Sequence, residues 1–358
     1  KKIYFHMAMD YEIISPGDRQ KQNQLQTQVK RSHNKNPAVS YLASLGSKDS
    51  RRVQKAALDH IAEALSNGAI TDCLVFPWEQ LDYGTVNAVK AWLDSKYAPS
   101  TVNRYLCAVR RVIKEAWRHQ LISAEAYQRA TDVQSVSASR LPTGRELENE
   151  EIRRLIESCL SDEDNPTLGL RDAAIISLMY SSGLRRAEVV TLDREDINLK
   201  KGELRVIGKR NKERKAYLAA GAIRAVEKWL ELRGEDPGPL FYSVNKGGNI
   251  VRFRRERLSA EQKKMGAKPK RIVARLSDQT IYHIIDKRAK QAGLIKKTTP
   301  HDMRRTFVSD LLDVGVDLAT VSKMAGHDDT NTTKRYDRRS SKVMQEAAQK
   351  LDIPYPED

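Results

Sequence analysis

A polar, serine-rich stretch at residues 132–145 divides the chain into two segments, each able to fold by itself. It contains Pro142 and Gly144, and it lacks the regular apolar spacing found on either side. Proline and glycine interrupt helices and strands, so such a stretch indicates an interdomain linker. With 358 residues, the chain is long enough to bury two cores. We therefore predict a helical domain over residues 37–131 and a second domain over residues 146–358.

Residues 1–36 precede the first helical pattern. They are polar and include a glutamine- and asparagine-rich run at residues 20–28, so we predict a flexible N-terminal arm. From there to residue 131, apolar residues recur at helical spacing in successive stretches. This pattern predicts several amphipathic helices that share one core.

The third of these helices, over residues 101–119, carries apolar residues on one face, including Val102, Val109 and Trp117. Polar and basic side chains occupy its other faces, and we take them as candidate DNA contacts: Thr101, Asn103, Arg104, Arg110, Arg111 and Lys114. The formal net charge of +16 suits a polyanion such as nucleic acid or an anionic membrane surface. On charge alone, a basic protein of unrelated function stays open.

The same sequence argues against the chain being a membrane protein or a secreted protein. No apolar run is long enough to span a bilayer, and no signal peptide is evident. The three cysteines, Cys73, Cys107 and Cys159, show no metal-ligand spacing. We expect all three to be small core residues in a protein of the reducing cytoplasm.

The second domain is predicted to be mainly α with a small antiparallel β-sheet. Residues 202–208 and 215–218 alternate around a basic tip, which predicts a β-hairpin. Helices are expected at residues 149–160, 171–181, 222–233 and 277–292, then from residues 300, 318 and about 331, with an amphipathic tail helix at residues 341–351.

Four segments of this domain carry polar residues that a plain core does not need. In the first, Arg185 follows Gly183, where an apolar helix ends, and a rigidly held guanidinium there suits a phosphate. A surface pair with Glu188 is the alternative. In the second, the hairpin tip at residues 208–214 carries Lys209, Arg210 and Lys212, which can contact DNA or donate a proton. A solvated loop is the alternative.

The third segment places His301 and Arg304 on one face of the first turn of a helix capped by Thr299. Free backbone N–H groups there favour an anion, whereas a capped helix with exposed polar residues is the alternative. The fourth contains His327, followed nine residues later by Tyr336. Either residue alone would usually be structural.

Together, the four segments supply two arginines, a lysine, two histidines and a tyrosine, with no acidic cluster suited to a metal. Phosphoryl transfer without a metal needs a nucleophile, charge stabilisation and a leaving-group acid. The set fits that reaction, so neither a metal nor another cofactor is expected.

In these motifs the sequence resembles the tyrosine recombinase (phage integrase) family. That family has an arginine after Gly-Leu, a lysine after glycine in a hairpin, His-x-x-Arg, Gly-His, and a tyrosine nine residues further on, and all five elements occur here in order. The resemblance covers residues 149–336 and extends to the tail. More weakly, residues 99–117 resemble the family's helical core-binding domain.

The resemblance implies a site-specific DNA recombinase with an α+β catalytic domain. It implies that Arg185 and Arg304 clamp the scissile phosphate and that Tyr336 attacks it, giving a 3′-phosphotyrosyl link. By the same resemblance, Lys209 protonates the leaving 5′-oxygen, His301 accepts the tyrosine proton, and His327 hydrogen-bonds the phosphate. The implied partner is double-stranded DNA, on which four protomers synapse two sites through a Holliday junction. The free protein is left open as monomer or dimer.

Some features depart from the family pattern. Arg305 stands where many members have histidine, and the arm is too short for a separate arm-binding domain. A basic insertion at residues 246–275 is either a solvated loop or an extra DNA or partner contact. The tail docks either on a neighbouring protomer or on its own domain. Three functions stay open: a recombinase, an enzyme of the type IB topoisomerase or telomere resolvase kind, and a catalytically silent DNA-binding protein.

Overall fold

The computed structural model describes residues 19–137, 144–208 and 212–327, together with residue 348. The chain forms two compact units, Lys1–Arg140 and Leu141–Asp358. No helix within the described residues is long and apolar enough to cross a membrane. The architecture is mainly helical with small antiparallel sheets, as the sequence predicts.

The first unit is helical throughout its described part. Its α-helices are α1 (Arg19–Gln26), α2 (Pro37–Ala43), α3 (Lys48–Leu65), α4 (Tyr83–Lys96), α5 (Pro99–Arg118) and α6 (Ala124–Thr131). Pro99 fits the first turn of α5 because that position needs no N–H donor. The apolar stripe of α5, including Val102, Val109 and Val112, is fully buried. Helices α2, α3, α4 and α6 pack around it, so α5 is the centre of this core.

The predicted flexible arm is corrected from residue 19 onward. Helix α1 buries Leu25 completely, and the backbone N–H of Val29 donates to Val75 O at 2.8 Å. Asn36 caps α2 and donates from Nδ2 to Leu74 O at 2.7 Å. One leucine in a polar run gives almost no periodic signal, which explains the wrong prediction. Residues 1–18 lie outside the described part of the chain.

Two further expectations for this unit are wrong. Trp117 is 37% exposed and stacks on Tyr127, with ring centroids 5.3 Å apart, instead of entering the core. Cys107 is exposed, whereas Cys73 and Cys159 are buried as expected. Trp117 lies at the margin of the apolar stripe of α5, where helical periodicity does not distinguish a buried position from an exposed one. Cys107 lies on the opposite, polar face, which also carries Arg104 and Arg111, so that expectation failed because it rested on residue type alone.

The second unit alternates helices with short strands. The helices are α7 (Asn149–Leu160), α8 (Pro166–Ser182), α9 (Arg186–Thr191), α10 (Ala220–Arg233), α11 (Ala260–Lys264), α12 (Asp278–Gln291), α13 (Pro300–Asp313) and α14 (Leu318–Ala325). The strands are β1 (Ile197–Asn198), β2 (Glu203–Ile207), β3 (Glu213–Tyr217), β4 (Ser243–Val244), β5 (Ile250–Val251), β6 (Phe253–Arg255) and β7 (Arg271–Val273). They pair antiparallel as β1-β2-β3, β4-β5 and β6-β7. The predicted helices from residues 331 and 341 fall outside the described residues.

Helix α8 is the central element of the second core. It is apolar on almost all sides, and Ile175, Leu178 and Met179 are fully buried. Helices α7, α10 and α13 pack against it. The C-terminal end of α8 leads directly into the candidate active site.

A buried arginine joins α12 to this core. Arg288 is fully buried, and its Nε donates to Asp172 Oδ2 at 2.9 Å. Its Nη1 donates to Asp162 Oδ2 at 2.7 Å. A buried ion pair is costly to break because removing one partner leaves the other charge without compensation.

We therefore expect Arg288→Met to lower the free energy of unfolding by about 3 kcal/mol, the lower end of the usual cost of breaking a buried ion pair, because Arg171 still binds Asp172. Urea denaturation followed by circular dichroism measures this loss. Lys290→Met, on the exposed face of the same helix, is the control and should cost less than about 0.5 kcal/mol. Equal losses of stability from the two substitutions would contradict a stabilising role for the buried Arg288 ion pairs.

Candidate active site

The first site residue stands where α8 ends. Gly183 terminates α8 with φ of +60°, and its N–H donates to Met179 O at 3.0 Å. A Cβ at this glycine would lie only 2.3 Å from Phe307 Cδ1. The close approach brings the end of α8 against α13. Two residues later, Arg185 is the N-cap of α9, with 41% of its side chain exposed.

Helix α13 supplies the second arginine. Thr299, the predicted N-cap, forms a capping box with Asp302 at its start, and the Thr299 hydroxyl donates to Asp302 Oδ2 at 2.7 Å. Arg304 follows one turn later, is only 4% exposed, and donates from Nη1 to Gly183 O at 2.6 Å. Its guanidinium is therefore fixed to the end of α8 rather than moving in solvent.

The loop after α14 closes the site. Gly326 ends that helix with φ of +65°. Its carbonyl accepts a hydrogen bond from Arg185 Nη2 at 2.8 Å, and a Cβ added here would lie 2.8 Å from Arg214 Nε. The next residue, His327, is half-buried, and its N–H donates to Ser322 O at 3.0 Å. These contacts bring the Gly-His motif beside the first arginine.

One buried carboxylate organises the cationic groups. Glu188 Oε1 accepts from Arg185 Nη1 at 2.9 Å, and Oε2 accepts from the Arg185 backbone N–H at 2.9 Å. Both terminal nitrogens of Arg214 also bind this carboxylate, at 3.1 and 3.0 Å. Burial alone would raise the pKa of Glu188, but its bonds to Arg214 and Arg185 outweigh burial and lower the pKa. Glu188 therefore stays ionised and holds two arginines in place.

Burial and the same positive charges lower the pKa values of the two histidines. Burial, followed by the charges of Arg304 and Arg185, lowers the pKa of His327 to about 4. His301 is surface-exposed on one side, yet partial burial of its ring and the charges of Arg304 and Arg305 lower its pKa as well. Both imidazoles are therefore mainly neutral at neutral pH, and a neutral imidazole can accept a proton or donate an N–H hydrogen bond.

The structure thus brings together four of the six predicted catalytic residues: Arg185, His301, Arg304 and His327. Lys209 and Tyr336 lie outside the described residues. The hairpin that carries Lys209 does reach the site at its base. The N–H of Gly208 donates to Lys212 O at 2.7 Å, and a Cβ at Gly208 would lie 3.6 Å from Glu188 Oε1.

Arg214 is a site residue that the sequence did not single out from the basic hairpin tip. Its burial follows the alternation of β3, in which Arg214 shares the inner face with buried Ala216 while Glu213 and Lys215 point to solvent. That alternation was a usable signal. The pairing partner, Glu188, could not be inferred because it lies on α9, 26 residues earlier in the chain.

The candidate DNA contacts differ in exposure and in whether they bond to the backbone of this chain. Arg104 and Arg111 are exposed on α5, and Thr101 and Lys114 are half-buried. Asn103 instead exchanges two hydrogen bonds with the backbone of Val136, at 2.8 and 2.9 Å. Arg110 donates to Val133 O and to Ser135 Oγ. Asn103 and Arg110 therefore anchor the segment that follows α6 to α5. On the hairpin, Lys212 is exposed and Arg210 falls outside the described residues.

Within the described residues, one group of three side chains has ligand atoms close enough for a metal, and it lies in the first unit: Asp59, Asp72 and Cys73. Lys55 Nζ sits 2.9 Å from Asp59 Oδ2 and 3.0 Å from Asp72 Oδ1. This ammonium binds both carboxylates and offsets one of their two negative charges, so a cation already occupies the group.

Comparison with known proteins identifies the family. Residues 145–342 match the phage integrase family. A tyrosine recombinase XerC of Vibrio vulnificus is 30% identical over 294 residues, covering 80% of this chain and 79% of the relative. A tyrosine recombinase XerD of Vibrio cholerae is 29% identical over 266 residues, covering 72% of this chain and 76% of the relative.

Solved structures share the fold. XerH site-specific recombinase bound to difH substrate, in a pre-cleavage complex, superposes with a TM-score of 0.56 at 21% identity, covering 93% of this chain and 92% of that chain. A lambda integrase dimer bound to a core site gives 0.58 at 14% identity, covering 84% and 94%. The chain therefore belongs to the phage integrase family, the tyrosine recombinases, and is a site-specific recombinase.

Proposed function

We propose that this recombinase cleaves and rejoins double-stranded DNA through a covalent bond between Tyr336 and a 3′-phosphate. The observation that carries the proposal is the gathering of two arginines and two neutral histidines around the ends of α8 and α14. Such a group can bind a phosphodiester and stabilise the charge that grows on its oxygens. Glu188, the buried acid that binds Arg185, is already neutralised by Arg185 and Arg214.

In the proposed reaction, Arg185 and Arg304 bind the non-bridging oxygens of the scissile phosphate. Their fixed positions lower the cost of ordering them in the transition state. The Tyr336 hydroxyl oxygen attacks phosphorus while His301 accepts its proton, which requires the neutral imidazole that its lowered pKa provides. His327, neutral for the same reason, donates a hydrogen bond to the phosphate.

As the new bond between phosphorus and the tyrosine oxygen forms, the bond to the 5′-oxygen breaks. Lys209 gives that oxygen a proton, so the products are a 3′-phosphotyrosine and a free 5′-hydroxyl. The 5′-hydroxyl of a partner strand then attacks the phosphotyrosine and releases Tyr336. Each step exchanges one phosphodiester for another, so the cycle consumes no nucleotide cofactor. The residues of this chain carry out every step of the proposed cycle.

Strand exchange between two sites requires more than one protomer. A lambda integrase tetramer has been solved on a Holliday junction, and its fold matches this chain with a TM-score of 0.56. We extend that assembly to this recombinase: four protomers on two synapsed sites, acting on chromosomal or mobile DNA in the bacterial cytoplasm. The exposed residues of α5, among them Arg104 and Arg111, are the proposed contacts of the first unit with the duplex.

The test begins by sequencing DNA trapped covalently on the protein in cells, which supplies the site. A nicked suicide duplex of that site, labelled at the 5′ end of the cleaved strand, should give a labelled covalent adduct in excess EDTA. The released fragment should carry a 5′-hydroxyl that a kinase can phosphorylate.

Three outcomes would contradict the proposal. Loss of the adduct in EDTA, with recovery in magnesium, would show a metal mechanism. An adduct on the downstream fragment would reverse the polarity of the bond. Relaxation of a supercoiled plasmid that lacks the site would favour a type IB topoisomerase activity.

A further inference from the structure

The insertion at residues 246–275 contains a two-stranded ribbon with a strong positive charge. We define the basic ribbon as residues 252–275, which include β6, α11 and β7. It carries two acidic residues, Glu256 and Glu261, against ten basic ones: Arg252, Arg254, Arg255, Arg257, Lys263, Lys264, Lys268, Lys270, Arg271 and Arg275. The described basic side chains between its two ends are all exposed.

The basic side chains at the base of the ribbon form ion pairs with carboxylates of the second unit. Arg252 binds Asp236, and Arg275 binds Asp193. Within the described part of the chain, the eight basic side chains between those two form no ion pair with a carboxylate. Exposed arginines elsewhere do find such partners; Arg153, for example, binds both Glu150 and Glu157. The ribbon therefore presents uncompensated positive charge.

The strand register makes this charge costly for the fold itself. Arg255 lies directly opposite Arg271, and Phe253 lies opposite Val273 on the same exposed face. Like charges at directly opposed positions destabilise a hairpin. Arg271 also covers Phe253, with its guanidinium carbon 4.3 Å from the ring centroid. A pair of opposed arginines is better explained by an anion that binds between them than by the stability of the ribbon.

The base of the ribbon is fixed to α9, the helix whose N-cap is Arg185. Ala274, which is buried, donates from its N–H to Arg252 O at 2.8 Å. Arg275 Nη1 donates to Val190 O at 2.9 Å, and Val190 lies on α9, whose N-cap is Arg185. A two-stranded ribbon is marginally stable alone, so these contacts are what hold it in a defined place relative to α9.

We propose that the basic ribbon is an accessory DNA-binding element that contacts the phosphate backbone of the duplex and adds affinity independent of base sequence. The inference rests on the proposed function, which supplies DNA as the partner. A duplex presents one negative charge per ~1.7 Å of helix axis, a density that a row of unpaired lysines and arginines matches. A two-stranded ribbon is also an element that the major groove can admit.

The test compares two variants that each lose four positive charges. The ribbon variant combines Lys263→Gln, Lys264→Gln, Lys268→Gln and Lys270→Gln. The control variant combines Arg224→Gln, Lys228→Gln, Lys287→Gln and Lys290→Gln, which are exposed positions on α10 and α12. Binding of the full chain to the trapped site and to a random-sequence duplex is measured by fluorescence anisotropy over a range of salt concentrations.

Each phosphate contact contributes about 0.9 to the slope of log affinity against log salt concentration. The ribbon variant should therefore lose about two to four units of slope on both duplexes, whereas the control should lose less than about one. Equal losses in the two variants would mean that only net charge matters and would overturn the inference. An unchanged slope in the ribbon variant would also overturn it, as expected if the ribbon binds an acidic protein instead.

Arg255→Gln separates binding from stability. Removing one of two opposed charges should leave the melting temperature unchanged or raise it, while reducing the salt slope by about 0.9. A lower melting temperature with an unchanged slope would assign Arg255 to the fold and contradict a DNA contact. If the unmodified chain forms the covalent adduct but the variants bind normally, only this inference fails. If the unmodified chain gives no adduct, the proposed function fails first.

Discussion

Tyr336→Phe should bind the recombination site with the affinity of the unmodified protein and form no covalent adduct at all. The substitution removes only the phenolic oxygen, which is the proposed nucleophile, and keeps the aromatic ring. Without that oxygen no phosphotyrosyl bond can form, whatever the state of the arginines and histidines. A suicide substrate resolved on a denaturing gel measures the adduct, and a native gel measures binding.

The matched control is Tyr217→Phe, at an exposed position of β3 in the same unit. It should form the adduct at the normal rate. If an adduct persists in Tyr336→Phe, another residue attacks the phosphate, and Tyr217, Tyr242 and Tyr282 would be tested next. Tyr242 is the least suited of these because it is buried, with Arg233 and Arg252 near its ring.

Lys209→Ala should slow cleavage of ordinary DNA by a factor on the order of 10²–10⁴, the usual cost of losing a general acid. The reason is that the departing 5′-oxygen is a poor leaving group until it is protonated. When sulfur replaces that bridging oxygen, the leaving group no longer needs a proton. Cleavage of the sulfur substrate by Lys209→Ala should therefore return close to the rate of the unmodified protein in a single-turnover assay.

Two other variants serve as controls for the role of Lys209. Arg185→Ala should stay slow on both substrates because this arginine stabilises charge on the non-bridging oxygens. Lys212→Ala changes a basic residue of the same hairpin and should slow the two substrates equally and slightly. Failure of sulfur to rescue Lys209→Ala would reduce that lysine to a DNA contact. Rescue of Arg185→Ala as well would show that the substrate reports only general reactivity.

The sequence predicted most helices of the fold because their ends carry clear local signals. Helix α7 begins and ends where periodicity placed it, at Asn149 and Leu160, and α13 begins at Pro300 after the Thr299 cap. Those signals come from hydrogen bonds within one turn, so the sequence alone reveals them. Helix α1 has no comparable signal, because its place is decided by one buried leucine and by contacts with distant residues.

The sequence likewise predicted most residues of the candidate site that the structure describes, but not the contacts that position them. The motifs indicated Arg185, His301, Arg304 and His327, and the structure places them together. The sequence could not show what holds them there. The bonds from Arg214 to Glu188 and from Arg304 to the carbonyl of Gly183 join elements far apart in the chain. Such contacts depend on tertiary packing, which local patterns do not encode.

The tight packing at Gly183 affects how a mutational scan of this recombinase would be interpreted. Its left-handed backbone conformation and the closeness of the Phe307 ring together strain any substitution here, whereas Gly46 has no atom within 4 Å of an added Cβ. A scan would therefore rank position 183 with the chemically active residues, although a glycine has no side chain to contribute. Intolerance there would measure the seating of α8 against α13, and through it the placement of Arg304, rather than any contact with DNA.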